Sequence, residues 1–353
     1  MALRLKVTVT TLAAALTTCL GISMSHAQTN LSAETAAPNT VPGNSVLALG
    51  EVASQAGIAD IQVKTGQTLT NSVQNIAEGS TDVATTPYLL PFLLSRGAGP
   101  YGALGAEKGA ELASQIATLY TYRYAVYGLS AYDSKQFGGW DAIEGATIYN
   151  GPPRGAALTK ARGMIKLAKG LDDGDGYTGV QVNWGQAVKT ITDGSADAHV
   201  LPMSFPDARL GQASASGAIT VFSYPKDIFE SESGQKFGQA PGNIPLTAPI
   251  EDDLFGPNIS VVSEDDTFRG YADTGGEIVN VNMDEELAYQ LTKSFLDNMD
   301  VYTQKAPNMA NTWFGETDIE FTGLCGANPV KYHPGAVRAW EEAGYSLPDC
   351  AKP

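Results

Sequence analysis

The chain has 353 residues, with 22 Lys and Arg against 38 Asp and Glu, so its formal net charge is −16 at neutral pH. So acidic a chain argues against binding to nucleic acid or to anionic lipid headgroups, because like charges repel. Its length is typical of two lobes with separate hydrophobic cores rather than of one.

The first 27 residues have the features of a cleaved signal peptide. Arg4 and Lys6 form a basic head, an apolar stretch follows from Val7, and Ser25-His26-Ala27 offers the small-x-small pattern of a cleavage site. The apolar stretch is too short and too rich in Thr for a membrane-spanning anchor. We therefore expect export to the periplasm and a mature chain that begins near Gln28.

The mature chain is predicted to alternate between strands and helices. Residues 28–45 are polar, contain Pro and lack a periodic pattern, so they are predicted to be a flexible leader. The predicted elements are a helix over 46–56, a strand over 61–65, a helix capped by Thr68, strands over 82–86, 116–120, 124–127 and 146–149, a helix over 156–169, a helix ending at 188–193, a strand over 198–201, a loose segment over 225–276, a strand over 278–282, a helix over 284–298 capped by Asp284, and a helix over 334–343. Such alternation is typical of an α/β fold with mostly parallel sheets.

No sequence motif indicates catalysis, a cofactor or a metal site. Ser223-Tyr224-Pro225-Lys226 matches Ser-x-x-Lys in form only, without a companion motif. His199 is predicted to pack in or beside a strand, and His333 to start a helix. The acidic run at 172–176 lacks the acidic ligand that a calcium loop needs at Asn183, so it is predicted to be a solvated turn.

Two cysteines remain after removal of the signal peptide. Cys325 and Cys350 lie near the C-terminus, and an oxidising periplasm favours their pairing as a disulfide bond. Two isolated cysteines with only His199 and His333 elsewhere do not have the spacing of metal ligands.

Three loops, each between a predicted strand and a predicted helix, are candidates for ligand binding. They are Thr65–Asn71, Gly151–Ala156 and Met203–Pro206. Helix N-termini offer unpaired backbone N–H groups and a partial positive charge, which favour carboxylates. Arg154 adds a planar guanidinium suited to a bidentate contact with a carboxylate. Ordinary strand–helix turns with a solvated Arg154 are the alternative interpretation.

Seven short segments occur in the order and spacing of a known family. They are Thr65–Asn71, Gly79–Asp82, Leu119–Tyr120, Asp141–Ile148, Gly151–Ala156, Asp193–Ala198 and Tyr332–Gly344. Together they resemble the TAXI-type solute-binding proteins of tripartite ATP-independent periplasmic (TRAP) transporters, over about residues 46–345.

The resemblance implies a two-lobed periplasmic-binding-protein (type II) fold with a ligand cleft between the lobes. Lobe one is expected over 46–128 and 262–353, and lobe two over 129–261. The expected ligand is a small organic anion: a 2-oxoacid, a dicarboxylate or a glutamate-like compound. The residues expected to contact it are Thr65, Gly66, Gln67, Thr68, Asn71, Tyr120, Tyr122, Pro153, Arg154, Gly155, Ser204 and Phe205.

The same resemblance implies a monomer that delivers its ligand to a small and a large integral membrane subunit, powered by an ion gradient. The chain departs from the family in three places. The family's N-terminal strand and Gly-rich Tyr loop are not evident before Val46. In the second loop Arg154, Gly155 and Ala156 replace Gly, Ser and Gly, and Tyr120-Thr121-Tyr122-Arg123 stands where an acidic residue follows the Leu-Tyr pair. Three alternatives remain, namely a binding protein for an ATP-driven importer or sensor, an exported enzyme on the same scaffold, and a surface antigen without a ligand.

Overall fold

The computed structural model describes residues 28–353, so the predicted signal peptide lies outside the described residues. The strands are β1 (Thr29–Glu34), β2 (Ala59–Lys64), β3 (Val83–Pro87), β4 (Ile116–Tyr132), β5 (Thr147–Tyr149), β6 (Thr178–Val180), β7 (Ala198–Met203), β8 (Ile219–Phe222), β9 (Asn243–Pro249), β10 (Ile259–Val262), β11 (Thr267–Asn280) and β12 (Lys331–Tyr332). The α-helices are α1 (Val41–Gln55), α2 (Leu69–Ala77), α3 (Leu89–Ser95), α4 (Gly105–Ala113), α5 (Ala156–Lys169), α6 (Ala187–Thr192), α7 (Ala208–Ser214), α8 (Lys226–Glu230), α9 (Glu232–Gly238), α10 (Glu285–Asp297), α11 (Met299–Gln304), α12 (Ile319–Thr322) and α13 (Pro334–Glu342). In this part of the chain, no helix has the length and apolar character needed to cross a membrane.

The prediction of a flexible leader over 28–45 was wrong. Strand β1 pairs in parallel with both β2 and β3, and α1 begins at Val41, where the Thr40 hydroxyl accepts a hydrogen bond from the Gly43 N–H. The strand escaped detection because only part of it faces the core. Leu31 and Ala33 are buried, whereas Thr29, Asn30 and Ser32 are exposed. An apolar pattern this short also occurs in loops, so the sequence did not distinguish this strand from a loop.

Two long antiparallel strands, β4 and β11, run through the whole sheet. Its strand order is β2-β1-β3-β11-β4-β7-β5-β6. Toward one end, β3 pairs with the Gly275–Val279 part of β11. Toward the other end, β7 and β8 pair with β4, and β9 pairs with β11 up to Asp273. A bulge interrupts the β4–β11 pairing between Asp273 and Thr274, where the neighbouring strands change.

The hydrophobic core changes at the same place. A first core cluster takes its residues from 31–124, 156 and 278–351, and two further clusters take theirs from 126–272. On β4 the change falls between Tyr124 and Val126. Phe268 and Ala272 pack in the second cluster, although the predicted boundary at 262 assigned them to lobe one. The α/β fold therefore has two lobes, joined by β4 and β11.

Several predicted elements agree with the structure. Helix α5 spans the predicted residues 156–169, and the Asp284 side chain accepts a hydrogen bond of 2.9 Å from the Leu287 N–H at the start of α10. Two predictions need correction. The predicted strands at 116–120 and 124–127 form one strand, β4, and the segment over 225–276, predicted to be loose, contains β9, β10 and most of β11. Strand pairing over long sequence distances stabilises these elements, and local patterns do not reveal it.

Candidate functional site

The first candidate loop, Thr65–Asn71, is held by the loop that follows β1. The Gly66 N–H donates to the Ala36 carbonyl at 3.0 Å, and the Gln67 N–H donates to the Thr35 carbonyl at 2.9 Å. Gly66 has a φ of +72°, which a residue without Cβ adopts easily. Thr68 stands at the N-cap of α2, but its side chain makes no capping bond, contrary to prediction. Together with Thr65 and Asn71, these residues form an exposed rim, apart from the half-buried Gln67.

The second candidate loop lies opposite the first. The Thr70 hydroxyl, in the first turn of α2, donates a hydrogen bond of 3.1 Å to the Arg154 carbonyl. Arg154 directly precedes Gly155, which is the N-cap of α5. The side chains of Pro153 and Arg154 are exposed. The structure therefore brings the predicted residues of the first and second loops together, one loop from each lobe.

The third candidate loop contacts the segment that follows α11. The Asn308 side-chain amide donates to the Ser204 hydroxyl at 3.3 Å, and the Asn311 amide donates to the Phe205 carbonyl at 3.1 Å. The Phe205 ring is buried against Phe255 and Phe268. Ser204 is half-buried, and its hydroxyl donates to the Pro206 carbonyl.

Tyr120 and Tyr122, which were predicted to contact the ligand, lie in the core of lobe one. Both rings are fully buried in the first core cluster, where Tyr120 stacks on Phe295 with a centroid distance of 3.8 Å. The Tyr122 hydroxyl lies 2.8 Å from the Thr85 hydroxyl and donates to Glu277 at 3.3 Å. Helices of lobe one cover this face of β4. The alternation of side chains along a strand does not reveal which face is covered.

Sequence reasoning missed Glu277, a fully buried carboxylic acid on β11. Burial raises the pKa of its carboxyl to about 8, although the Ser45, Tyr122 and Tyr120 hydroxyls act in the opposite direction. One carboxyl oxygen, Oε2, has no hydrogen-bond partner among the described residues. One feature of the sequence could have indicated this buried acid: Glu277 is a single Glu within a run of glycines and apolar residues from Gly275 to Val279.

Sequence reasoning also missed a buried ion pair. The Lys160 ammonium contacts the Asp273 carboxylate, and both side chains are almost completely buried. Lys160 also donates to the Ala272 carbonyl at 3.0 Å and lies 5.0 Å from the Tyr127 ring centroid. The pair fastens α5 to β11 beside the bulge at Asp273, so it connects a helix of lobe two to a strand that joins the lobes.

A third missed residue is Arg123, on β4 at the change between lobes. Its side chain is only 7% exposed, and burial lowers the pKa of the guanidinium to about 10. The guanidinium carbon lies 5.0 Å from the Phe205 ring centroid and 4.8 Å from that of Trp313. One guanidinium nitrogen donates to the Asn311 carbonyl. Among residues 28–353, no carboxylate lies within 4.0 Å of Arg123 or of Arg154.

A cavity of about 550 Å³ opens between the lobes. One wall comes from the start of lobe one, at Pro38, Asn39 and Asn44. The facing wall comes from Pro206 to Gly211 and from Gly256 and Pro257, and Ala306 to Asn308 close one side. The walls do not include the first or the second candidate loop. Residues of both lobes therefore face each other across this cavity as well as at the contact between Thr70 and Arg154.

Among residues 28–353, the two histidines and the two cysteines lie as predicted from the sequence. His199 is buried in β7, and burial lowers the pKa of its ring to about 4. The His333 Nδ1 accepts from the Gly335 N–H at the start of α13. Cys325 and Cys350 are paired with the geometry of a disulfide bond, with Cα atoms 5.4 Å apart. Within the described residues, no group of three or more His, Cys, Asp and Glu side chains is placed to hold a metal ion.

Comparisons with solved structures give distant likenesses. A protein from Bordetella bronchiseptica RB50 is 14% identical, with a TM-score of 0.54, over 90% of this chain and 99% of that chain. A TRAP periplasmic solute binding protein from Ralstonia eutropha H16, with bound (S)-2-acetolactate, is 10% identical, with a TM-score of 0.46, over 89% of this chain and 90% of that one. A TRAP periplasmic solute binding protein from Desulfovibrio salexigens DSM2638, in complex with diglycerolphosphate, is 12% identical, with a TM-score of 0.45, over 91% and 86%. The Bordetella protein shares the fold, and no more follows from identities this low.

Comparisons of the amino-acid sequence give a more specific result than comparisons of the structure. No curated protein matches the chain significantly. The sequence model of the NMT1-like family, however, matches residues 42–344, which include both lobes and all three candidate loops. The family comprises periplasmic solute-binding proteins of the ABC and TRAP types. This chain belongs to the NMT1-like family of periplasmic solute-binding proteins.

Proposed function

We propose that this protein is the solute-binding subunit of a TAXI-type TRAP transporter and that it captures a small carboxylate between its lobes. Membership of the NMT1-like family supports the solute-binding class. The seven ordered segments, from Thr65–Asn71 to Tyr332–Gly344, support the TAXI subtype. The observation that carries the proposal is the meeting of α2 and α5 at their N-terminal ends.

The N-terminal ends of α2 and α5 are joined by the hydrogen bond from Thr70 to the Arg154 carbonyl. The first turn of each helix carries backbone N–H groups without intrahelical acceptors, and with them a partial positive charge. Two such ends that converge from opposite lobes favour an anionic group between them. The exposed Arg154 side chain adds a full positive charge at the same place. The local charge at this place is therefore positive, although the net charge of the protein is negative.

The remaining parts of the proposal follow from the resemblance. The mature protein acts in the periplasm as a monomer and delivers its ligand to a small and a large integral membrane subunit. An ion gradient, rather than a nucleotide, drives uptake. The low basic content of the chain supports the expectation that nucleic acid is not a partner, since phosphate backbones bind basic surfaces.

We also propose that the protein does not turn over its ligand. A catalytic site needs a base within hydrogen-bond reach of a nucleophile or of a substrate. His199 is buried within β7 and His333 is engaged at the start of α13, so neither histidine lies at the meeting of α2 and α5.

Calorimetric titration of ligand-free protein comprising residues 28–353 tests the proposal. The titrants are small carboxylates and their matched neutral amides. We expect a carboxylate to bind and its amide to fail, and we expect Arg154→Ala to weaken the binding. Arg96→Ala is the control, because Arg96 is exposed on Phe92 at the end of α3. Equal binding of acids and amides would contradict the proposed ligand class. Unchanged affinity of Arg154→Ala would remove that residue from the site.

Uptake into vesicles that contain the membrane subunits separates the TRAP and ABC types. For a TRAP system we expect that collapse of the ion gradient stops uptake and that removal of ATP does not. The opposite result would assign the protein to an ATP-driven importer and leave its ligand-binding role intact. Chemical analysis of the ligand after long incubation checks for turnover, and an altered ligand would indicate an enzyme.

A further inference from the structure

We propose that the side-chain amides of Asn44 and Asn308 bind an uncharged carboxamide group of the ligand in the interlobe cavity. The ligand then carries a carboxylate at one end and a carboxamide at the other. This inference rests on the proposed function, since it assigns the carboxylate end to the meeting of α2 and α5. It replaces the broad expectation of a 2-oxoacid, dicarboxylate or glutamate-like compound with one class, an amide acid.

The first argument is a buried amide without a partner. Asn44, in the first turn of α1, lines the cavity and is only 9% exposed. Its backbone N–H donates to the Thr40 carbonyl at 2.9 Å. Neither the oxygen nor the nitrogen of its side chain has a hydrogen-bond partner among the described residues. A buried polar group without a partner is costly, so a ligand that supplies the partner gains affinity.

The second argument is a second amide on the same cavity. Asn308, which lines the cavity and is 5% exposed, donates from its side-chain nitrogen to the Ser204 hydroxyl at 3.3 Å. Its side-chain oxygen accepts no hydrogen bond within residues 28–353. The two Asn side chains therefore offer both donors and acceptors to a ligand. A carboxamide also has both, and it can pair with an Asn side chain through two parallel hydrogen bonds, whereas a carboxylate only accepts and an ammonium only donates.

The third argument is the charge of the cavity walls. None of the lining residues is basic, and the acidic one is Asp207. Its carboxylate accepts hydrogen bonds from the backbone N–H groups of Ser204, Arg209 and Leu210 and lies 3.6 Å from the Arg209 guanidinium. A second carboxylate would thus enter without a cation to pair with, and an ammonium would compete for an acid that is already engaged. An uncharged polar group avoids both costs.

The walls also indicate what joins the two polar ends. Half of the lining residues that face the cavity are apolar, namely Pro38, Pro206, Ala208, Pro257, Ala306 and Pro307. Apolar walls favour a methylene chain, because its transfer out of water is favourable. An amide acid with a methylene chain between its ends combines these features.

The cavity begins close to the first candidate loop. The Gly66 N–H donates to the Ala36 carbonyl at 3.0 Å, and Pro38, two residues further along, lines the cavity. Two residues of extended chain span at most about 7 Å. On lobe one, the start of α2 and the cavity wall are therefore neighbours.

The cavity also begins close to the second candidate loop. A Cβ placed on Gly151 would lie 3.7 Å from the Trp184 ring. The Arg209 guanidinium carbon lies 5.1 Å from the centroid of that ring, and Arg209 follows Ala208, which lines the cavity. An extended ligand between the lobes can therefore place its carboxylate at α2 and α5 and its carboxamide at Asn44 and Asn308.

The first test is calorimetric titration of ligand-free protein, residues 28–353, with succinamate, glutaramate and adipamate. Each amide acid is compared with the diacid of the same carbon number and with the straight-chain acid that has the same number of chain atoms. We expect the best amide acid to bind at least about 10-fold more tightly than both, since the amide adds hydrogen bonds in a buried site. The best length measures the separation of the two ends. Affinities that do not depend on the amide would overturn the inference.

The second test changes Asn44. Asn44→Leu should weaken the best amide acid by about 10-fold and leave the straight-chain acid unchanged, because only the amide pairs with Asn44. Asn44→Asp should reverse the preference, so that the ω-amino acid of the same length binds more tightly than the amide acid, since a carboxylate only accepts. Asn30→Leu is the matched control, because Asn30 is exposed on β1. Retention of the wild-type preference in Asn44→Asp would overturn the inference.

Melting temperatures without ligand separate a binding residue from a structural one. Asn44→Leu removes an amide without a partner, so it should melt at the wild-type temperature or above it. A lower melting temperature together with wild-type affinity for the amide acid would overturn the inference. If Asn44→Leu does not fold, the ligand series with the wild type decides. Binding of carboxylates that ignores the amide would refute this inference alone, whereas failure of every carboxylate would refute the proposed function as well.

Discussion

The hydroxyl of Thr70 donates a hydrogen bond of 3.1 Å to the backbone carbonyl of Arg154, and this bond joins the first turn of α2 to the loop that precedes α5. The Thr70 side chain is buried, and its own carbonyl accepts from the Tyr101 hydroxyl at 2.9 Å. Thr70 is therefore fixed in lobe one and reaches across to lobe two. Such a contact stabilises the arrangement in which the two loops face each other.

Thr70→Val should weaken this contact between the lobes while keeping the side-chain shape. We expect ligand affinity to fall by about 5-fold, because one net hydrogen bond contributes about 1 kcal/mol. Calorimetric titration measures the affinity, and small-angle X-ray scattering reports whether the empty protein becomes more extended. Thr192→Val is the control, since Thr192 is exposed and its hydroxyl bonds only within its own helix. Equal effects of both substitutions would argue against a role for the contact between Thr70 and Arg154.

Lys160→Met should destabilise the protein strongly. The substitution removes the cation that contacts the buried Asp273 carboxylate, and such a loss costs about 3–5 kcal/mol. Urea denaturation measures the change in the free energy of unfolding. The double variant Lys160→Met with Asp273→Asn should recover part of it, because no unpaired charge remains. If the single and double variants have the same stability, the charge pair is not the source of the loss.

Glu277 should make the protein less stable as the pH rises. Burial raises the pKa of its carboxyl from the ordinary 4.5 to about 8. Its stabilising contribution is therefore complete below pH 4.5 and is lost as the pH rises toward 8. The slope in this window is about 1.4 kcal/mol per pH unit for one proton. Glu277→Gln should remove this slope, as measured by urea denaturation at a series of pH values.

His199 also contributes to the pH dependence of stability, so the Glu277→Gln variant is compared with the wild type at each pH. Burial lowers the pKa of its ring from 6.5 to about 4, so its contribution to stability is lost as the pH falls below 6.5. Its slope is opposite to that of Glu277, and the difference between variant and wild type isolates Glu277. Glu144→Gln is the control, because Glu144 is exposed. Parallel pH profiles for wild type and Glu277→Gln would show that Glu277 titrates at the same pH in the folded and unfolded chains.

Loss of the pairing between Cys325 and Cys350 should lower the free energy of unfolding by about 3 kcal/mol, since the bond closes a loop in the unfolded chain. The two residues are 25 apart in sequence, and the bond attaches the last residues to the segment before β12. Urea denaturation of the double variant Cys325→Ser with Cys350→Ser measures the effect. Adding a reductant to the wild type should reproduce it, and adding it to the variant should change nothing. A reductant effect of equal size in the variant would show that another process is responsible.

Features that depend on short stretches of chain were predictable from the sequence. A helix was predicted over 156–169, the residues that form α5, and Asp284 caps α10 because its side chain reaches an N–H group three residues away. The alternation of strands and helices indicated an α/β fold, and the order of short motifs indicated a solute-binding protein. The same patterns placed Thr65–Asn71 and Gly151–Ala156 at helix starts. Each of these features depends on residues that are close together in the sequence, so the amino-acid sequence alone was enough to predict them.

Which of these residues meet, and which are buried, follows from the tertiary structure. Strand β1 is stable because β2 and β3 flank it, and no local pattern of its own polar residues reveals those partners. Tyr120 and Tyr122 became core residues because α10 and α11 cover one face of β4. Arg123, on the same strand, lies beside Phe205 and Trp313, which are far from it in sequence. Burial depends on these distant contacts, and for that reason the buried position of the Arg123 guanidinium was visible only in the folded protein.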